Sequence, residues 1–355
     1  MPIETHSDDQ SKLDEAERVL IDWPGHIKMP KVGIVQDIGA FPSWTKYVRF
    51  CKNNSIPYEI YSIHDCDWLE KAKEFDVIIG FTSCSSFDLD EIRYKYFILE
   101  TVQKKSCYPS FQNMLLYENK ILEADLSKIY NFPFIPTYVS FDKKDALSLI
   151  ANLEFPVVSK IVPSSGSIGV ELIRSSAEAK KLIRQAFSQN GRKIHIVYAR
   201  QKNYIYFQKF IPNDGYDIRV IVVGNMVFGF YRKAPRGDFR ASGMHNEEMR
   251  SLPPGAIKIA RSVNEKINSP LLAVDMVHGL DGNFYINEFS PIFEMSTINQ
   301  LKVDGVPGAY VVDKNNNYQF IECKYWVHEL ALREFFQIHY FPKFSMGEKN
   351  ESVNY

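Results

Sequence analysis

The sequence predicts a mixed α/β (α+β) chain, and three observations carry that prediction. Short apolar runs alternate with helix-length amphipathic stretches in the first third, the signature of βαβ units on a parallel sheet. Apolar runs after residue 204 are longer and adjacent, as in antiparallel sheets. A length of 355 residues with 45% hydrophobic and 14% aromatic content is enough for two or three lobes with real cores.

Composition also removes function classes. With 42 Lys+Arg against 43 Asp+Glu, a net charge of −1 gives no global grip on nucleic acid or an anionic membrane. No apolar run approaches the ~18 residues of a membrane helix. Residues 1–10 carry acids and no apolar stretch, unlike a signal peptide. The cysteines (Cys51, Cys66, Cys84, Cys107, Cys323) are odd in number, widely spaced and without a C-x-x-C pair. They read as reduced thiols in a cytoplasmic protein.

The elements follow in order. Residues 1–28 read as a partly ordered polar leader, where Leu13, Ala16, Val19 and Leu20 would line a short helix ended by Trp23-Pro24-Gly25. Residues 29–112 form an α/β lobe: Val32-Gly33-Ile34-Val35 is a strand, 44–54 a helix, 58–63 and 76–80 strands. No G-x-G-x-x-G follows its first strand, so the dinucleotide fingerprint is missing. Residues 113–203 hold helices at 115–130, 144–153 and 177–189 and strands at 137–141, 156–161 and 169–173. Residues 204–310 hold strands at 204–210, 217–223, 227–232, 271–277 and 283–289 with a helix at 256–268. Residues 311–355 end in an amphipathic helix, 325–341, with Trp326, Leu330 and Phe335 inward, then a polar tail. That helix packs on the core or joins two copies into a dimer.

Three constellations carry chemistry. In the first, a strand delivers Lys160, and a small loop follows: Ser164-Ser165-Gly166-Ser167-Ile168-Gly169. With few Cβ atoms, such a loop can wrap backbone N–H groups around phosphate oxygens, and the lysine adds a point charge. It is not a P-loop, and taken alone it reads first as an ordinary hairpin turn with a surface lysine.

The second is a hairpin with Asp281-Gly282 as a two-residue turn. That turn sets Asp275 opposite Glu288, with Cβ atoms roughly 5 Å apart. Two opposed carboxylates ask for a cation, and magnesium suits because it takes carboxylates plus substrate phosphates. A solvent-facing carboxylate or a shifted register is the competing reading. Asp is depleted in strands with flanks like Ala273-Val274 and Met276-Val277, which favours the metal.

In the third, Asp217 and Arg219 begin an otherwise apolar strand, and Arg232, Lys233, Arg236 and Arg240 gather four cations within nine residues. Such a group can neutralise a polyphosphate and a charged transition state. Each residue alone reads first as part of a solvated basic loop.

Further signals lie in the same order: Asn119-Lys120 opening a helix, Val157-Val158-Ser-Lys160, Phe207-Gln208-Lys209-Phe210-Ile211-Pro, Asp217-Ile-Arg219-Val, Arg236-Gly-Asp-Phe-Arg240-Ala and Asn287-Glu288-Phe. Together these resemble the ATP-grasp superfamily, in the branch of ribosomal-protein glutamate ligases and glutathione-synthetase-like carboxylate–amine ligases. The resemblance covers roughly 113–308, with a pre-ATP-grasp lobe before it. It implies an ATP-grasp fold whose two lobes, 113–203 and 204–310, enclose the nucleotide.

By that resemblance Lys120 and Lys160 bind ATP, and the loop with Ser165, Gly166 and Ser167 is the lid over the phosphates. Gln208, Lys209, Phe210 and Ile211 line the adenine, which the backbone of Lys209 and Ile211 reads. Lys209 stands where the family usually has Glu, and a backbone contact tolerates that. Asp217 would hold the ribose, Arg232 and Arg240 would face the transferring phosphate, and Arg219, Arg236 or Arg240 would clamp a carboxylate. Asp275 and Glu288 would bind magnesium. Ser290 and Ser242 stand where the family commonly has Asn. A serine oxygen or a water would complete the metal shell.

The implied activity is an ATP- and Mg2+-dependent ligase. It would activate a small-molecule or peptide carboxylate as an acyl phosphate, which an amine then attacks, releasing ADP and phosphate. A second ion and manganese in place of magnesium are compatible with it. No dedicated general base is visible, and His245 is a candidate for the amine proton. The same apparatus would serve a kinase acting on a hydroxyl, or a nucleotide-binding protein with lost catalysis.

Overall fold

The computed structural model describes residues 13–37, 42–80, 86–164, 166–194, 200–244, 246–313, 315 and 317–345. Ser165, Cys84 and His245 lie outside these described residues.

The first sheet is parallel, in the order β2-β1-β3-β4: Val32–Val35 (β1), Tyr58–Tyr61 (β2), Val77–Ile79 (β3) and Ser106–Tyr108 (β4). The central strands β1 and β3 are buried at every position, which is why they read as unbroken apolar runs rather than alternating ones. Helices at Trp44–Asn53 (α1), Trp68–Ala72 (α2) and Ser86–Tyr96 (α3) connect them. The helix expected over 115–130 is two helices, Phe111–Leu116 (α4) and Lys120–Tyr130 (α5). Glu118 between them takes φ 56°, which ends a right-handed helix. Asn119 then caps α5 by accepting from Leu122 N–H at 3.2 Å, so Lys120 stands at a helix N-terminus.

The second sheet is antiparallel. Its strands are Thr137–Ser140 (β5), Val157–Ser159 (β6) and Glu171–Ile173 (β7). A small hairpin of Arg192–Lys193 (β8) and Arg200–Gln201 (β9) follows, then Ile205–Lys209 (β10). The order is β5-β10-β6-β7. The 204–210 strand was expected to open the third segment, whereas β10 lies between β5 and β6. Its four consecutive buried residues suit that central position. Lys143–Leu149 (α6) and Ser176–Ala186 (α7) cover one face. Ala179, Leu182, Ile183 and Ala186 form a buried stripe at helical spacing, and each large apolar side chain there contributes about 1.5–3 kcal/mol.

The third sheet is the largest, in the order β15-β14-β11-β12-β17-β16. Its strands are Asn213–Val223 (β11), Met226–Lys233 (β12), Glu247–Glu248 (β13, beside β12), Leu272–Gly279 (β14) and Phe284–Ser290 (β15). Lys302–Val303 (β16), Val306–Val312 (β17) and Tyr318–Glu322 (β18, beside β17) complete it. Pro254–Ile267 (α8) packs on β11 and β14.

The C-terminal helix is shorter than expected. Val327–Phe335 (α9) passes into a π-helical turn, Phe336–Tyr340, before Pro342–Ser345 (α10). Trp326, Leu330 and Phe335 face inward as the periodicity predicts. Leader residues Leu13 and Ala16 pack on Ile298 and Trp326, while Leu20 is exposed. The first and third sheets share one core containing Ile34, Val220 and Leu330, whereas the second sheet has its own. Cys51, Cys66, Cys107 and Cys323 are free thiols. No described helix is long and apolar enough to cross a membrane.

Candidate functional site

A cleft separates the second sheet from the third. Lys120 enters it from the first turn of α5, Lys160 from just beyond β6, and Gly166 and Ser167 from the loop before β7. The end of β10 brings Gln208 to Ile211, β11 brings Asp217, and the segment after β12 brings Arg240. β15 brings Asn287 and Glu288. Ile135, Val158 and Phe210 make one wall apolar.

The hairpin reaches the expected pairing by an unexpected route. Its turn is one residue longer than the two-residue form: Gly279 N–H donates to Asn283 O at 2.9 Å and Gly282 N–H donates to Gly279 O at 2.9 Å. Near the turn Met276 therefore faces Ile286 and His278 faces Phe284. A β-bulge then inserts Asn287, and beyond it Asp275 faces Glu288. The bulge places Asn287 and Glu288 together on the cleft.

Charges alternate across the third sheet beside the cleft through Asp217, Arg232, Asp275 and Arg219, of which Asp217 alone lines it. Asp217 and Arg232 are cross-strand partners joined by two bonds of 2.7 and 2.9 Å. Arg232 also reaches Asp275 at 2.8 Å, and Arg219 grips Asp275 at 2.8 and 2.7 Å. Burial pushes the Asp275 carboxyl up, but the two guanidiniums outweigh it and hold it well below the usual carboxylate range. Burial outweighs Arg232 at Asp217, whose carboxyl is raised.

The lysines differ. Lys120 Nζ lies 3.4 Å from Glu288 and 3.4 Å from Glu118, and donates to Ser164 O. Burial disfavours its charge, but Glu288 and Glu118 outweigh that and keep it protonated. Lys160 Nζ donates to Asn287 Oδ1 at 2.8 Å, and burial lowers its pKa to about 8. Above them, Ser167 Oγ donates to Ser242 O at 2.9 Å, so the small loop touches the 241–243 segment across the cleft.

Other predicted residues point elsewhere. Arg240 lines the cleft but is paired with Asp238 at 2.7 Å, outside the Asp217–Arg232–Asp275–Arg219 chain. The Lys209 side chain turns outward to Glu154 at 2.7 Å. Ser290 Oγ donates to Ile292 O at 2.7 Å and accepts from Ile292 N–H at 3.3 Å, which ties it to its own loop. Among the described residues no group of three or more His, Cys, Asp or Glu side chains is assembled to hold a metal.

Sequence reasoning missed Glu118, Glu123 and Asn287. Glu123 lies one helical turn after Lys120, a spacing that puts both on one face and was available as a signal. Asn287 depended on a bulge that no residue type announces.

Known proteins carry related sequences. Residues 119–322 match the family model described as a RimK-like ATP-grasp domain. The chain is 28% identical over 182 residues to the glutamate–LysW ligase ArgX of Sulfolobus acidocaldarius, covering 47% of this chain and 58% of that protein. It is 23% identical over 269 residues to the alpha-aminoadipate–LysW ligase LysX of Saccharolobus solfataricus, covering 71% and 90%. Its matched region spans 23% of the carbamoyl phosphate synthase large chain of Pyrococcus furiosus, at 22% identity. In fold it is similar to the crystal structure of D-cycloserine synthetase DcsG, with a TM-score of 0.56 at 14% identity over 86% of this chain and 99% of that one. It is also similar to the ADP complex of PurK, an N5-carboxyaminoimidazole ribonucleotide synthetase, with a TM-score of 0.52 at 14% identity over 92% and 99%. With more than half of its 355 residues matched by the family model, the chain belongs to the RimK-like ATP-grasp family.

Proposed function

We propose that this chain uses ATP to join a carboxylate to an amine. The observation that carries the proposal is the convergence of Lys120 and Lys160 with Arg240 and Glu288 on one cleft beneath the Gly166–Ser167 loop. Two relatives are named as ligases of glutamate or alpha-aminoadipate with LysW, which supports an amino-acid carboxylate or amine as substrate.

In this reading the adenine lies along Ile135, Val158 and Phe210. Lys209 N–H already donates to Pro136 O, and Ile211 O accepts from Asn213 Nδ2 at 2.9 Å. The base contacts are then the complementary groups, the Lys209 carbonyl and Ile211 N–H. Lys120 and Lys160 bind phosphate oxygens, and Gly166 and Ser167 fold over them to exclude water. Arg232 and Arg219 sit beneath the transferring group, with Asp217 fixing the plane of Arg232. Arg240 exchanges Asp238 for a substrate anion.

A divalent cation fits this donor set. The cleft presents oxygen donors, and Glu288 faces it beside its cross-strand neighbour Asp275. Glu288 would hold magnesium together with phosphate oxygens, and Asp275 would join it where a phosphate draws Arg219 and Arg232 away. Ser290 would contribute through water. When bound, the ion supplies charge neutralisation to the phosphates.

The bonds balance as follows. A carboxylate oxygen attacks the γ-phosphorus and ADP leaves. The amine nitrogen then attacks the acyl carbon, and phosphate departs with the amine's proton. Incubation with ATP, magnesium and pooled amino acids tests this. ADP release that requires both a carboxylate and an amine is expected, and release that requires a hydroxyl acceptor instead would refute it.

A further inference from the structure

We infer that Glu123 is a positioning residue that fixes Glu288 in the cleft; this rests on the reading of Glu288 given above. Glu123 lies on the first turns of α5 and is 3% exposed. Its Oε2 accepts from the backbone N–H of Phe289, the residue after Glu288, at 2.9 Å. β15 is the edge strand of the third sheet. Its open side is bonded by the segment before β5: Ile286 N–H donates to Pro133 O at 2.8 Å, and Ile135 N–H donates to Ile286 O at 2.9 Å. That ladder stops at the Asn287 bulge, and the Glu123 carboxylate receives the next buried donor. A donor left without an acceptor there would be costly, so the strand would shift to find one.

The bulged segment 287–289 is the one that presents Asn287 to Lys160 and Glu288 to Lys120. Glu123 therefore joins the helix that carries Lys120 to the strand that carries Glu288. Burial, together with nearby Glu288 and Glu118, pushes the Glu123 carboxyl up to about 8, which the Lys120 ammonium and the Phe289 bond oppose only in part. Its Oε2 can accept from the Phe289 N–H in either protonation state. Residues that orient a ligand without touching the ion typically change metal affinity by about 10–100-fold when altered.

The test uses the full-length chain, Mn2+ as the paramagnetic probe with ATP, and amide exchange over residues 287–290. Glu123→Gln keeps an oxygen acceptor. It is expected to hold Mn2+·ATP affinity within about threefold of wild type and to keep the Phe289 amide protected. Glu123→Asp is too short to reach. It is expected to weaken Mn2+·ATP binding by about 10–100-fold and to speed exchange at Phe289, with metal-free ATP affinity unchanged. A folded Glu123→Asp protein with wild-type affinity and protection would overturn the inference, as would Glu123→Gln losing as much as Glu123→Asp. If Glu123→Asp does not fold, Glu123→Gln decides: retention of both readouts supports the inference and loss of either overturns it. Wild-type ATP binding indifferent to Mn2+ would instead contradict the metal reading, and amide exchange would still decide the role of Glu123.

Discussion

Asp275 and Glu288 face one another across a hairpin, yet their surroundings separate them. Asp275 is sealed between Arg219 and Arg232, whereas Glu288 keeps a side chain 24% exposed and looks into the cleft. The two should therefore respond differently to neutralisation. Glu288→Gln is expected to abolish ATP turnover with the melting temperature within a few degrees of wild type. Asp275→Asn is expected to abolish turnover and also to lower stability, since two buried guanidiniums lose their counter-charge. Full activity in either variant, read by ADP release, would remove that residue from the site. A second residue-scale prediction concerns His328, buried with neither ring nitrogen hydrogen-bonded. Burial, reinforced by Lys46, lowers its pKa to about 3 from the ordinary 6.5. A base depressed in the fold stabilises it fully above 6.5, and that contribution is lost as pH falls from 6.5 toward 3. Glu329, raised to about 7 by burial, works in the opposite sense over part of that range, so wild-type stability alone cannot isolate His328. The comparison with His328→Leu can: moving from pH 7 to pH 5 should shift the stability difference in the variant's favour by about 2 kcal/mol, read by denaturant unfolding. A difference independent of pH would refute the buried neutral histidine. The Asp275–Glu288 opposition was legible in the sequence only because two departures cancel: the turn is one residue longer than the two-residue form, and the Asn287 bulge restores the register. Glu123 was not, because its partner is a backbone N–H 166 residues away.

At the scale of elements, the Gly166–Ser167 loop and the 241–243 segment meet across the cleft. Gly243 takes φ 78°, and a Cβ there would lie 2.9 Å from the Gly166 carbonyl oxygen. Gly243→Ala should therefore wedge the Gly166–Ser167 loop away, raising KM for ATP several-fold and costing about 1 kcal/mol of backbone strain. Unchanged KM with intact fold would show that the two loops act independently. Element types were largely readable from apolar periodicity, and their partners were not. β10 reads as the start of the third segment because it follows a polar stretch, yet its hydrogen bonds go back to β5 and β6. The break between α4 and α5 falls at Glu118, a good helix former that takes a positive φ, and its one mark in the sequence is Asn119 as the cap before Lys120.

At the scale of the molecule, the near-balance of charge resolves into opposed local groups. Lys120, Lys160, Asp217 and Glu288 line one cleft whose walls come from two sheets with separate cores, and Arg219, Arg232, Asp275, Glu118 and Glu123 stand beside them. The order of motifs along the chain made the ATP-grasp resemblance legible, while the first lobe carries no motif that names a substrate. The most direct test of carboxylate activation follows isotope through the reaction. With ATP, magnesium and amino acids labelled with oxygen-18 in their carboxyl groups, the account predicts one labelled oxygen in each released phosphate, because the acyl phosphate breaks at its acyl carbon. Unlabelled phosphate alongside an amide product that carries the label in its new carbonyl, or release of AMP and pyrophosphate in place of ADP, would contradict it.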